Sequence, residues 1–466
     1  MDLERLISAL APTDVVRRAP TVVSDLAYDT RAVEPGALFF CVPGARADGH
    51  ELAGEAVDRG AAALVVERPL ELSVPQLVVA DARAAMAVAA DAFFGRPSQE
   101  LDVVGVTGTN GKTTTAFLLD AILTAAGRRA GLLTNVERRV GGERRKATLN
   151  TPEAIDLQRL LRQMLDAGDD ACVLEATSHG SALRRLDRVR FRVLVFTNLT
   201  RDHLDLHGTM EAYFAAKRRL FDQADVAAVN VGDPYGRRLA AELGDRALTF
   251  ALDASSELGE AALRGLDVRL PGRFNRENVL GAVAAARLLG IDDAAVAEGV
   301  AALTTVPGRM EPIDVGQPFT VLVDYAHTPD ALQRVLAAAR ELAHGGRVVC
   351  VFGCGGDRDR DKRPLMGRIA SEAANLVIVT SDNPRGEDPD AIVAAILAGV
   401  AGGADVEVEL DRGAAIRRAV DAAGAGDVVV IAGKGHEQGQ EALGRVLPFD
   451  DRAVVREALA RAAAAP

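Results

Sequence analysis

Lysine is nearly missing from this chain. Among 466 residues it stands only at 112, 146, 217, 362 and 434, while arginine is abundant. A chain that supplies almost all its positive charge as Arg keeps Lys where Arg cannot substitute, as a compact point charge or an amine that can be neutralised. Long apolar runs are missing too. None approaches the ~20 residues that a membrane-spanning helix needs, so membrane insertion is not expected. Cysteine occurs only at 41, 172, 350 and 354, without metal-ligand spacing and too sparsely for a disulfide scaffold. Three of these sit in or beside strand-like runs and read as small buried hydrophobes. The net charge of −12 argues against nucleic acid as a main partner. Any anionic ligand must be met by a local cluster of cations and backbone N–H groups. The start, Met1 to Asp14, lacks the basic-then-apolar layout of a secretory signal, so the cytoplasm is the expected compartment. No internal repeat or low-complexity linker is visible.

What is present is the balance of a soluble globular protein, 48% hydrophobic and 26% charged. The length calls for about two to four domains. Three regions emerge, with boundaries at 1–99, 100–308 and 309–466. The first alternates short strand-like runs (Leu38–Val42, Ala62–Val66, Gln76–Val79) with Ala-rich helical stretches. The second opens with a strand, a Gly-rich turn and a helix, and continues through strands at Ala171–Glu175, Phe191–Thr197 and Asp225–Val231. It closes with helical stretches from Asn275 to Gly290 and on to about Leu303. The third places strands at Thr320–Asp324, Arg347–Phe352, Asn375–Thr380 and Asp427–Ile431 among Ala-rich helices, a doubly wound pattern. The class is α/β with mainly parallel sheets. The tail from Ala458 to Pro466 reads as a fraying terminal helix.

The strongest local signal is Asp102-Val-Val-Gly-Val-Thr-Gly108-Thr109-Asn110-Gly111-Lys112-Thr113-Thr114. A buried strand feeds a glycine turn and then a helix, so backbone N–H groups and the positive helix end converge on one anion. Lys112 adds a charge for the terminal phosphates, and the Thr113 hydroxyl can ligate Mg²⁺. Val106 stands where the strict motif has Gly, so the match is Gly-Lys-Thr plus context. The variant Gly-Thr-Asn-Gly-Lys-Thr resembles the Mur ligase and folylpolyglutamate synthetase superfamily, and the resemblance runs through nearly the whole chain. It implies three domains: a UDP-sugar-binding one, a central P-loop NTPase-like parallel sheet, and a C-terminal Rossmann-like domain.

Two further clusters follow strands, Glu175-Ala-Thr177-Ser178-His179-Gly180 and Thr197-Asn-Leu-Thr-Arg-Asp202-His203-Leu-Asp205. Acids and His at carboxyl ends of strands lie where ligands bind in open α/β sheets. The resemblance makes Thr113 a ligand of one magnesium, and Glu175 and His203 ligands of a second. It also makes Lys217, in Tyr213-Phe-Ala-Ala-Lys217-Arg-Arg-Leu-Phe221, a carbamylated lysine. Carbamylation turns a neutral amine and CO₂ into a carboxylate, which Arg cannot do. Without the resemblance, Lys217 would read as a solvated helix lysine. In Gly272-Arg-Phe-Asn275-Arg-Glu-Asn278, Asn278 is the implied nucleotide contact and Asn275 reads as a cap. Arg309, after Gly308, is the implied inter-domain arginine that reaches ATP phosphate. Gly108, Thr109, Asn110, Gly111 and Thr114 complete the phosphate site, with Asp324 and His327 of Asp324-Tyr-Ala-His327-Thr-Pro-Asp330 as further ATP contacts.

In the third region, Gly353-Cys-Gly-Gly-Asp357-Arg358-Asp-Arg-Asp-Lys-Arg363-Pro leaves an apolar strand as a glycine turn loaded with charge. Asp382-Asn383-Pro384-Arg385 resembles the motif of family members that add meso-diaminopimelate. The distal carboxylate of that amino acid suits a bidentate Arg fork, whereas the ammonium of L-lysine would be repelled by Arg385. Arg358, Gly433 and Glu437 complete the implied amino-acid pocket, with Glu437 placed to accept from the substrate ammonium. A plain turn after a strand is the alternative for Asp-Asn-Pro-Arg. In the first region Tyr28 and Thr30 match the uridine site, with Thr30 where Ser is more usual. Ala45, Arg46 and Ala47 match a second nucleotide loop. Asn150, Thr151, Thr177 and Arg185 match contacts for the muramoyl-dipeptide arm, and Leu183 stands where the family often has Gln.

The reaction so implied joins UDP-MurNAc-L-Ala-D-Glu to meso-diaminopimelate at the cost of ATP, through an acyl phosphate, in peptidoglycan synthesis. Lys112, Lys217, His203 and Arg309 are the expected catalytic residues, Mg²⁺ the expected cofactor, and a monomer the expected state. Domain three is expected to close on ATP about a hinge near Gly308. The rivals are an L-lysine-adding ligase, a folylpolyglutamate synthetase, and a nucleotide-binding regulator that keeps the P-loop alone.

Overall fold

The computed structural model describes residues 1–44, 47–147, 149–253 and 255–464. The chain divides into two compact units. The first comprises Met1–Thr107, Gly127–Val195 and Ala216–Ala227; the second comprises Gly108–Ala126, Phe196–Ala215 and Ala228–Pro466.

The first unit begins with five short strands: β1 (Asp14–Val16), β2 (Asp25–Ala27), β3 (Ala37–Phe40), β4 (Ala63–Val66) and β5 (Gln76–Val78). They form one sheet in the order β1-β5-β4-β3-β2, parallel except for β1 against β5. Both faces are covered. Leu38, Phe40, Val65 and Leu77 pack on one side, and Phe39, Leu64 and Val66 on the other. A strand buried on both faces has no polar alternation to show, which is why β3 and β4 read as continuous apolar runs.

The same unit continues with β6 (Asp102–Thr107), β7 (Ala130–Leu133), β8 (Glu137–Val140), β9 (Glu143–Lys146), β10 (Ala171–Glu175), β11 (Phe191–Phe196) and the first half of β12 (Ala224–Asn230). Their order is β12-β11-β6-β10-β7-β8-β9. β6, β10 and β7 run parallel, and β8 and β9 add an antiparallel hairpin at the edge. That hairpin is Arg- and Glu-rich and largely exposed, so it carries no apolar signature for sequence reasoning to find.

In the second unit, β13 (Ala247–Phe250) pairs beside the end of β12, where Val231 N–H donates to Phe250 O at 3.0 Å. A six-stranded sheet follows: β14 (Glu311–Pro312), β15 (Thr320–Asp324), β16 (Val348–Phe352), β17 (Leu376–Val379), β18 (Asp405–Val408) and β19 (Val428–Ala432). Its order is β14-β15-β19-β16-β17-β18, parallel except at β14. The four strands predicted in the third region are the four central ones, each within a residue or so of its expected ends. A hairpin of β20 (Gly439–Ala442) and β21 (Arg445–Pro448) lies outside that sheet.

Two local expectations need correction. Asn275 is not the cap of its helix, which spans Arg273–Leu288 with Gly272 at the N-cap. Asn275 instead donates from Nδ2 to Pro271 O at 2.6 Å and accepts from Asn278 at 3.1 Å. The terminal helix Asp451–Ala464 does not begin to fray at Ala458, because Ala458 and Leu459 are buried against the C-terminal sheet with Val349 and Ile431. All four cysteines are free and buried, one more than the three expected to be buried. Among the described residues no helix is long and apolar enough to cross a membrane.

Candidate active site

The phosphate loop opens the second unit, at the point where β6 ends. Gly111 takes φ 88°, and a Cβ added there would lie 2.3 Å from Asn278 Oδ1. Only glycine allows both the left-handed turn and that approach. The helix Lys112–Ala125 then starts directly from the loop, with Gly111 at its N-cap. Lys112 Nζ donates to the carbonyls of Gly108 at 3.1 Å and Thr109 at 2.8 Å. Asn110 is fixed from every side. Its N–H donates to Asn198 Oδ1 at 2.9 Å, its carbonyl accepts from Thr197 Oγ1 at 2.7 Å, and its side chain donates to Asp330 Oδ2 at 2.8 Å. The Thr109 hydroxyl pairs with the Tyr213 hydroxyl at 3.1 Å. Thr114 is buried, and Asn278 Oδ1 lies against Gly111 of the loop.

Arg309 donates from Nη2 to Thr113 Oγ1 at 3.0 Å, and its guanidinium lies 4.4 Å from the Tyr325 ring centre. Gly308 just before it has φ 65°, and a Cβ there would meet His436 N at 2.1 Å. Asp324 is buried and accepts from Met310 N and Ala326 N, each at 2.7 Å. Burial nevertheless pushes its carboxyl up.

A charged cluster stands beside this loop. Asp202 Oδ2 lies 3.3 Å from His203 Nε2 and 4.0 Å from His327 Nε2. Burial pushes the Asp202 carboxyl up, but His203, His327 and Lys362 together hold it below the usual carboxylate range. Burial and the Lys362 ammonium push His327 down, and Lys362 Nζ donates to His327 O at 2.9 Å. Arg201 pairs with Asp359 at 3.2 Å. Nearby, a cavity of about 350 Å³ is lined by Asn198, Asp233, Asp253, Arg273 and Glu277 among others.

The expected amino-acid pocket assembles at the carboxyl ends of β16, β17 and β19. Asn383 Nδ2 donates to Glu437 Oε2 at 3.1 Å. Lys434, fully buried, donates to Asn383 Oδ1 at 2.8 Å and to Glu437 Oε2 at 3.2 Å. Asp382 lies 3.8 Å from the same ammonium, and a Cβ on Gly433 would come 2.6 Å from Asp382 Oδ2. A Cβ on Gly356 would come 1.9 Å from Pro384 O, so the two glycine-bearing turns fit only without side chains there. Arg385 takes φ 53° and donates from Nε to Glu441 Oε2 at 3.0 Å and from Nη1 to Gly356 O at 2.8 Å. Arg358 is exposed and donates to Asp357 O at 3.0 Å. Gly355 lies between Arg358 and Arg385, whose Cγ and Nη1 would be 4.0 Å and 2.9 Å from an added Cβ.

The residues matched to the UDP-sugar site that can be described all lie in the first unit. Tyr28 OH donates to Asp156 Oδ2 at 2.7 Å, and Thr30 starts a short 3₁₀ turn. Ala47 accepts at its carbonyl from Gly44 N at 3.0 Å, while Ala45 and Arg46 lie outside the described residues. Thr151 Oγ1 lies 2.9 Å from Thr177 Oγ1 and donates to Glu175 O at 2.9 Å. Arg185 donates to Thr151 O at 3.1 Å and pairs with Glu153 at 2.7 Å. Asn150 is exposed beside this group.

Among the described residues no three His, Cys, Asp or Glu side chains form a ready metal cage. The donor types expected for magnesium nevertheless suit it. The Thr113 hydroxyl and the Glu175 carboxylate, both buried, are hard oxygen donors. Lys217, on the helix Met210–Arg218, is only 1% exposed. It is therefore not the solvated helix lysine that the residues alone suggested. The sequence missed Tyr213, Asp330, Lys434 and Glu441 as parts of the site. Tyr213 and Asp330 stand inside quoted motifs and Lys434 lies between Gly433 and Glu437, but Glu441 carries no sequence signal at all.

Three family models match the chain in succession. Residues 22–106 match the model "Mur ligase family, catalytic domain", 106–286 the Mur ligase middle domain, and 308–435 the Mur ligase glutamate ligase domain. The chain belongs to the Mur ligase family. Within it, the chain is 46% identical over 467 residues to the UDP-N-acetylmuramoyl-L-alanyl-D-glutamate–2,6-diaminopimelate ligase of Solibacter usitatus (strain Ellin6076), covering 95% of this chain and 94% of that protein. It is 43% identical to the protein of the same name from Geobacillus thermodenitrificans (strain NG80-2), covering 98% and 99%. A solved structure of a ligase with that name aligns with a TM-score of 0.65 at 33% identity, covering 95% of this chain and 96% of that one.

Proposed function

We propose that this chain is an ATP-dependent ligase that joins meso-diaminopimelate to the D-glutamate γ-carboxylate of UDP-MurNAc-L-Ala-D-Glu in peptidoglycan synthesis. The observation that carries this is chemical. One compact unit holds a phosphate loop and, at the strand ends of its own sheet, a pocket in which Arg385 stands with Asn383 and Glu437. Arg385 offers a cation for a carboxylate, Glu437 an anion for an ammonium group, and Asn383 neutral hydrogen bonds. The full-length relatives carry the same reaction in their names.

In the reaction, a γ-carboxylate oxygen attacks the terminal phosphorus of ATP, and ADP leaves. The amine of diaminopimelate, having shed a proton, attacks the resulting acyl phosphate. The tetrahedral intermediate expels inorganic phosphate and leaves an amide. Lys112 and Arg309 neutralise charge on the phosphates, and Asn110 and Asn278 shape the nucleotide site with Gly108, Thr109, Gly111 and Thr114. Asp324 and His327 contribute from the C-terminal sheet. Thr113 and His203 are proposed as magnesium ligands, as are Glu175 and, as its carbamate, Lys217; the metal supplies charge stabilisation at the phosphoryl oxygens. Tyr28, Thr30, Ala45, Arg46, Ala47, Asn150, Thr151, Thr177 and Arg185 take the UDP-linked dipeptide. Arg358, Asp382, Asn383, Pro384, Arg385, Gly433 and Glu437 take the amino acid. The segments 1–99, 100–308 and 309–466 divide these tasks, in a cytoplasmic monomer.

Mass spectrometry of the UDP-linked product tests the proposal. The expected product has gained one diaminopimelate residue, only when ATP and Mg²⁺ are both present. A product lacking that gain, with ATP consumed, would contradict it.

A further inference from the structure

Arg385 does not stand alone at its turn. Its backbone forms a parallel bridge to Ala442 of β20, with Arg385 N–H donating to Glu441 O at 3.0 Å and Leu443 N–H donating to Arg385 O at 2.7 Å. These bonds hold a non-glycine residue at φ 53°. Its side chain is held from the same strand, because Nε donates to Glu441 Oε2 at 3.0 Å. A second anchor, from Nη1 to Gly356 O at 2.8 Å, comes from the opposite turn. A guanidinium has five N–H donors in a rigid plane. With Nε engaged by Glu441 and one Nη1 hydrogen by Gly356, the Nη1/Nη2 end keeps the donors for a bidentate carboxylate. Gln440 ties β20 back to the same motif, donating to Asp382 O at 2.8 Å, and Glu441 N–H donates to Asn383 Oδ1 at 2.9 Å.

We propose that Glu441 is a positioning residue that sets amino-acid selection, by fixing the guanidinium plane of Arg385 so that its free end meets the distal carboxylate of diaminopimelate. This rests on the function proposed above. Glu441 is 42% exposed at its side chain, so its effect comes from orientation, not from a strong ion pair in isolation. The hairpin that carries it is half-buried along β20 and exposed from Leu443 through β21, with no buried residue, so substitutions at Glu441 leave the core untouched.

Steady-state kinetics of E441Q and E441A, alone and in an R385A background, test this. KM for meso-diaminopimelate should rise about fivefold or more in E441A and less in E441Q, while KM for ATP and for the UDP-linked dipeptide stay within about twofold. The ratio of kcat/KM for diaminopimelate over L-lysine should fall in step. In R385A, adding E441A should change nothing further, the mark of two residues acting as one. An unchanged KM in E441A, or an equal rise with and without Arg385, overturns the inference while leaving the ligase function intact. Failure of the unsubstituted chain to use diaminopimelate overturns both.

Discussion

Glu387 shows how a single residue ties together the segments that follow β16 and β17. Its carboxylate accepts from Arg363 Nη2 at 2.9 Å, Arg363 Nη1 at 3.1 Å and Asp357 N at 2.6 Å. The Arg363 hydrogen bonds lead in lowering its pKa to about 2. An unfolded glutamate titrates near 4.3, about two units higher, so the unfolded chain takes up this proton first as pH falls. The stabilisation is therefore full above about pH 5, declines between about 4.3 and 2, and is gone below that. E387Q should melt a few degrees below the unsubstituted protein at pH 7, with the gap narrowing as pH falls through that window. A gap that does not change with pH would show that the contact is not electrostatic. Lys217 makes a different prediction. Incubation with ¹³C-bicarbonate should give a carbamate carbon signal that is absent in K217R, whose activity should fall about 100-fold or more. A signal that persists in K217R would place the carbamate elsewhere.

At the scale of elements, the strand–loop–helix of the phosphate site was legible because glycine leaves a mark in sequence. Gly111 is there for a reason that geometry then supplies, φ 88° and an approach to Asn278 Oδ1 that no Cβ can share. G111A should cost about 1–2 kcal/mol in backbone strain and raise the Kd for ATP at least about tenfold. Retention of ATP affinity would mean that the loop can close without this turn. The central strands of the C-terminal sheet were equally legible, since β15, β16, β17 and β19 are short apolar runs spaced by helices. Other elements were silent for physical reasons. β8 and β9 are charged, the first half-buried and the second exposed, and β14 is two residues long. β20 and β21 have no buried face, so nothing in Gly-Gln-Glu-Ala announced that Glu441 would meet Arg385 across 56 positions.

For the whole molecule, most of the expected tasks separate by unit, whereas the residues matched to magnesium are divided, Glu175 and Lys217 in the first unit and Thr113 and His203 in the second. The describable residues matched to the UDP-linked dipeptide fall in the first unit, while those for the phosphates and the amino acid fall in the second. Sequence could name most of these residues because they sit in contiguous motifs after strands. It could not say that Asn110 is held by Asp330, or that Arg309 meets Thr113, because those contacts join positions hundreds of residues apart and depend on packing. The measurement that bears most directly on the central claim is phosphate release with UDP-MurNAc-L-Ala-D-Glu, ATP and Mg²⁺, comparing meso-diaminopimelate, L-lysine and no amino acid. Release with diaminopimelate, and little with lysine or with none, is the predicted result. Equal or greater release with L-lysine would contradict selection by Arg385, and no release with either amino acid would contradict the ligase itself.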